Sequence, residues 1–84
     1  MNASVSADRE QAAQRNVDVS VLRDFAHEQA SFIESYAAAA ATCAAAGDNR
    51  GLIYNTGIVA ARTRALVETL MDMERELSRS GRRA

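Results

Sequence analysis

At 84 residues the chain has room for one small domain, and a formal net charge of −1 leaves no global field to draw in nucleic acid or an anionic membrane. Pro and Trp are absent and Gly occurs only four times, while Ala, Arg, Glu, Leu and Met are plentiful, so the predicted fold class is all-α. One cysteine excludes an internal disulfide, one histidine gives no metal cluster, and no apolar run approaches the length of a bilayer span.

Residues 1–17 read as a polar N-terminal arm or a short helix, with Ser6 as its cap and Asp8 and Glu10 in its first turn. The start of the chain lacks the basic residues and apolar core of a signal peptide, which predicts a cytoplasmic protein or one exported without a cleaved signal. Asn2-Ala3-Ser4 matches a glycosylation sequon, a short pattern with little weight in a chain that does not look secreted. All ten basic residues are Arg, a bias typical of GC-rich genomes and hence of a bacterial or phage source.

Residues 18–80 read as a helical hairpin. A first helix is predicted over about 19–46, capped by Asp18 or Ser20 and ended by a left-handed Gly47. Residues 47–51 form the connection, where Asp48 and Asn49 suit a tight turn and either, Asn49 or Asp48, can cap the second helix. A second helix is predicted over about 50–80, stopped by Gly81 and followed by a basic tail, 81–84.

A 3-4 spacing selects Leu22, Phe25, Gln29, Phe32, Tyr36, Ala39, Cys43 and Ala46 on the first helix. The same spacing selects Leu52, Thr56, Val59, Thr63, Leu66, Leu70, Met73 and Leu77 on the second. Folding the chain at Gly47 brings the two stripes into phase, as an antiparallel coiled-coil-like hairpin requires. The slim run Ala37–Ala46 then receives the bulkier Leu52 and Val59.

One seam cannot use all the apolar residues near the turn. Ala37, Ala38, Ala41, Ala44 and Ala45 on the first helix, and Ile53, Tyr54, Ile58, Ala61, Val67 and Met71 on the second, fall outside it. A helix apolar on every side is normally buried on every side, and a chain this small buries little surface alone. These residues are the predicted partner or oligomer interface, with Arg62 and Arg64 as rim contacts. The expected partner is a protein: a second copy, completing a four-helix bundle as a dimer or higher oligomer, or a different chain.

Candidate chemistry is sparse, and no metal, cofactor or catalytic residue is predicted. Asp24, His27 and Glu28 share one helical face, but a bundle metal site needs matching ligands that the second helix, with Glu68, Asp72, Glu74 and Glu76, does not complete with an imidazole. Cys43 lies on the seam, sixteen residues from His27, and reads as a small core residue. Arg75, Arg79, Arg82 and Arg83 cluster at the C-terminal end without interleaved aromatics and beside acidic residues, which disfavours nucleic acid. Gln29 on the seam is a candidate for fixing register.

The function expected is therefore a small non-enzymatic helical interaction module, of the adaptor, chaperone or inhibitor-like kind. The layout is similar in kind to small two-helix bacterial chaperones and adaptors of secretion machines, and to small phage or plasmid proteins that block a host complex. Length and helical pattern carry that comparison; no motif does. The alternative is a small all-helical enzyme with a site between subunits, as in chorismate-mutase-like dimers. Arg23, Arg50, Arg62 and Arg64 would then have to act from the flanks of an almost uncharged seam.

Overall fold

The computed structural model describes residues 3–81. The 82–84 part of the basic tail and the side chains of the 2–4 sequon lie outside the described residues. Two helices make up the rest, α1 over Ala3–Ala46 and α2 over Asn49–Gly81. They pack against each other as an antiparallel hairpin measuring 69 × 17 × 15 Å, the all-α architecture that composition and periodicity predict. At 1.5 Å per residue the 44 residues of α1 span about 66 Å, so α1 alone sets the long dimension.

α1 runs without interruption through residues 17–20. Asp18 and Ser20 therefore lie inside a helix and not at its start, where the free amides that a cap satisfies are found. The continuity is physically simple, because no Gly or Pro stands between Ala3 and Ala46 to turn the chain.

The turn between the helices is two residues long and does two jobs at once. Gly47 has φ of 74°, a left-handed conformation that costs a residue with a Cβ. Its N–H donates to the Ala44 carbonyl at 3.2 Å, and the Asp48 N–H donates to the Cys43 carbonyl at 2.8 Å. That pair of bonds is a Schellman ending, which satisfies carbonyls the helix itself leaves open. Asp48 then starts α2: its Oδ1 accepts from the Gly51 N–H at 2.9 Å and its carbonyl accepts from Leu52 N–H at 3.0 Å. One aspartate thus ends one helix and caps the next. Gly47→Ala should destabilise the hairpin by about 1–2 kcal/mol, lowering the thermal midpoint by about 5–10 °C, with Gly47→Asn less damaging. Thermal melts followed by circular dichroism check both.

The seam between the helices departs from the predicted one on both helices, most on α2. On α1 the residues turned inward are Val19, Leu22, Ala26, Gln29, Phe32, Ile33, Tyr36, Ala39, Ala40 and Cys43, so the predicted Phe32 and Ala39 do face α2. On α2 they are Leu52, Asn55, Val59, Arg62, Leu66, Thr69, Met73 and Glu76. The rows through Leu22 and through Leu52 are the predicted ones. The companion row on α2 is Asn55, Arg62, Thr69 and Glu76, and the predicted Thr56, Thr63, Leu70 and Leu77 are exposed. On α1, Phe25 and Ala46 are exposed in the same way, while Ala40 is buried. Both choices satisfy a 3-4 spacing, since each row lies beside the Leu52 row, three residues or four residues on.

The polar row is satisfied mostly within the hairpin. Arg62 places its guanidinium 4.4 Å from the centre of the Phe32 ring and donates from Nη1 to Gln29 Oε1 at 3.5 Å. Thr69 is 5% exposed and donates its hydroxyl to the Ala65 carbonyl at 2.9 Å. Asn55 Nδ2 donates to the Gly51 carbonyl at 2.9 Å and reaches Cys43 Sγ at 3.7 Å. Glu76 Oε1 pairs with Arg79 at 3.3 Å, while its Oε2 is buried without a hydrogen-bond partner among the described residues.

Candidate protein-interaction surface

Two packed helices form one layer, and a layer has two open sides. On the first side an open groove of about 700 Å³ runs between the helices, lined by Phe25, Gln29 and Tyr36 from α1 and by Tyr54, Ile58 and Arg62 from α2. Tyr36, on its lining, meets the Phe32 ring at a tilt of 33° with ring centres 6.5 Å apart. Ile58 is half-buried there and Arg62 belongs to the seam beneath, held by Phe32 and Gln29. Charged residues, Glu28 on its lining and Asp72 and Arg75 beyond its end, break the apolar character of this side.

The opposite side is more continuous. Helical geometry places Thr56, Thr63, Leu70 and Leu77 there, with Ile53, Ala60, Val67 and Glu74 one row further out. Ala37, Ala41 and Ala44 lie beside them on α1, all exposed. Met71, Arg64 and Gly57 stand on the outermost row of α2, and Ala38 and Ala45 on that of α1. Ile53 is 73% exposed, Leu77 55%, Val67 50%, Met71 49% and Leu70 46%. Read along α2 the positions 53, 56, 60, 63, 67, 70, 74 and 77 form a second 3-4 stripe, parallel to the seam and without a partner helix among the described residues.

Of the residues predicted to form an interface, Ala37, Ala38, Ala41, Ala44, Ala45, Ile53, Tyr54, Ala61, Val67 and Met71 are exposed in the hairpin. They do not form one patch: Tyr54 and Ala61 open onto the grooved side, and Ile53 and Val67 onto the other. Arg64 is exposed and Arg62 is half-buried. Leu70, Leu77 and Phe25 join the exposed apolar set, having been assigned to the seam by periodicity.

Area gives the scale. A compact monomer of 9.0 kDa exposes about 4,900 Å², whereas this elongated chain exposes 6243 Å², an excess of about 1,300 Å². Among the described residues only Ala40 is a buried hydrophobic. No helix among them is long and apolar enough to cross a membrane, and no group of three or more His, Cys, Asp or Glu could hold a metal ion. No protein family, curated protein or solved structure matches the chain.

Proposed function

We propose that the chain is a non-enzymatic helical interaction module whose working part is the apolar surface of α2 and the alanine-rich end of α1. The observation that carries this reading is the second 3-4 stripe on α2, with Ile53, Val67, Leu70 and Leu77 exposed in a hairpin that has no further layer to cover them. Exposed apolar area of this extent on a small chain marks a surface that another protein covers. Adaptors, chaperones and inhibitor-like proteins are the classes of module that present such a face, as an amphipathic helix presents anchors to a groove.

The test is made on the purified chain, by light scattering, circular dichroism and binding of an environment-sensitive hydrophobic dye. The expected result is either a helical multimer or, at dilution, a monomer that binds the dye and melts in a shallow transition. Val67→Glu with Met71→Glu should remove the multimer or the dye signal while helicity persists. A monomer that unfolds cooperatively and stays dark to the dye at every concentration would overturn the proposal.

A further inference from the structure

The grooved side of the hairpin grades in size along both helices, in opposite chain directions. On α1 the positions seven apart that begin with Phe25 on the groove's lining are Phe25, Phe32, Ala39 and Ala46, large to small towards the turn. On α2 the lining residues Tyr54, Ile58, Ala61 and Ala65 run from large to small away from the turn. Each set is its own complement when reversed. About a point between residues 35 and 36 of α1, Phe32 mirrors Ala39 and Phe25 mirrors Ala46. About a point between residues 59 and 60 of α2, Ile58 mirrors Ala61 and Tyr54 mirrors Ala65. The two points stand at nearly one level of the hairpin. Residue 51 approaches Cys43 and Arg62 lies over Phe32, which together set Tyr36 level with residues 58–59.

From this coincidence we infer that a second copy of this chain docks on the grooved side, turned end for end about a two-fold axis crossing both helices at that level. The dimer goes beyond the interaction-module reading: it uses the side opposite the outer stripe of α2 and leaves that stripe free. Symmetry seats each large residue against a small one on both helices. Phe25 and Tyr54, 43% and 61% exposed in the hairpin, are the outer anchors of the two pairs of helices, and Phe32 and Ala39 are the half-buried inner pair on α1.

Charge complements the fit. Arg50 stands one turn before Tyr54 and Glu68 one turn after Ala65. Eighteen residues, five helical turns, separate them, so both project from the same edge of α2. Both are exposed and neither is in an ion pair among the described residues. The register that sets Tyr54 against Ala65 brings Arg50 to within one residue of the level of the partner's Glu68, about 1.5 Å along the axis, twice by symmetry. Glu28 falls opposite Thr42 and lines the same groove as Arg62, so the arginine keeps a carboxylate near it when the groove is covered. The other two-fold arrangement, with both turns at one end, would set Phe25 beside the partner's Glu68 and Asp72 and bring Glu28 close to the partner's Glu68.

The experiment follows the full chain by light scattering and sedimentation across a dilution series. A dimer is expected, with Ala61→Asp, an exposed position beside the axis, weakening it at least about 30-fold while helicity is kept. Val67→Asp, on the opposite side, should leave the dimer intact. Arg50→Glu alone and Glu68→Arg alone should each weaken it, and the two together should restore it. In a Cys43→Ser background, Tyr54→Cys with Ala65→Cys should cross-link between copies on oxidation, and Tyr54→Cys alone should not. A monomer at every concentration would overturn the inference, whether or not the outer stripe binds the hydrophobic dye. A dimer lost with Val67→Asp and kept with Ala61→Asp, or one cross-linked by Tyr54→Cys alone, would overturn the inferred arrangement.

Discussion

Replacing Arg62 with Ala should destabilise the hairpin by about 2–4 kcal/mol, more than the loss of any exposed side chain. The hydrogen bond from Arg62 to Gln29 is long, at 3.5 Å, and contributes little by itself. The cost comes from what the substitution leaves behind. Gln29 is 3% exposed, so its amide would be buried with its partner gone, a penalty of about 1–3 kcal/mol. Phe32 would lose the guanidinium 4.4 Å from its ring centre, together with the packing of the arginine stem. For a chain of this size the thermal midpoint should fall by about 10–20 °C. Arg62→Met keeps most of the stem and should be milder. Pairing Arg62→Met with Gln29→Leu should recover most of the loss, because an apolar pair of similar volume leaves nothing unsatisfied. Denaturant titrations of the two single variants and the double variant measure the coupling; equal and additive effects would show that the two residues do not act together.

The same double variant tests why this row of α2 faces inward at all. Thr56, Thr63, Leu70 and Leu77 are more apolar than Asn55, Arg62, Thr69 and Glu76, yet the second set is the one turned to α1. Arg62 is the member that ties the row to α1, through Phe32 and Gln29. A polar contact of this kind stabilises little on balance but selects one rotation of the helix over another. With the contact replaced by Met and Leu, α2 is free to turn Leu70 and Leu77 inward. The stripe that the interaction surface depends on would then shrink, and hydrophobic dye binding should fall while the hairpin remains helical.

This explains how far the sequence could be read. Composition sufficed for the all-α class, since helix formers dominate and proline is missing. Gly47 and Asp48 marked the turn because each has a local mechanism, positive φ at one and a capping carboxylate at the other. The Leu52 row was legible because both alternatives share it. The choice between its flanking rows was not, because periodicity counts apolar residues and cannot see a cation lying over a ring thirty residues away in the chain. For the same reason Phe25, Leu70 and Leu77 were placed in the seam when they belong to the surface. Asp18 and Ser20 misled in another way: a side chain able to cap does so only where the backbone has already turned, and here α1 continues through them.

Gly51→Ala should also lower stability, by about 1–3 kcal/mol, although alanine is the better helix former by about 1 kcal/mol. A Cβ at residue 51 would lie 2.6 Å from Cys43 Sγ on the facing helix and against the Asp48 carboxylate. Neither neighbour yields without loss. The carboxylate could rotate away, but Asp48 Oδ1 accepts from the Gly51 N–H at 2.9 Å and caps α2, a contact worth about 1 kcal/mol. The thiol could turn about χ1, but it would leave its place in the seam and its contact with Asn55 Nδ2 at 3.7 Å. Relief should therefore come from α1: Cys43→Ala removes the sulfur and leaves room for the new methyl. Gly51→Ala with Cys43→Ala should be more stable than Gly51→Ala alone, with a coupling of about 1–2 kcal/mol in denaturant titrations. Gly57→Ala supplies the control, the same substitution on the same helix with nothing within 4 Å of the added carbon. If Gly51→Ala instead melts at or above the parent temperature, the Cys43 and Asp48 side chains yield without loss, and close approach is not what keeps glycine at residue 51.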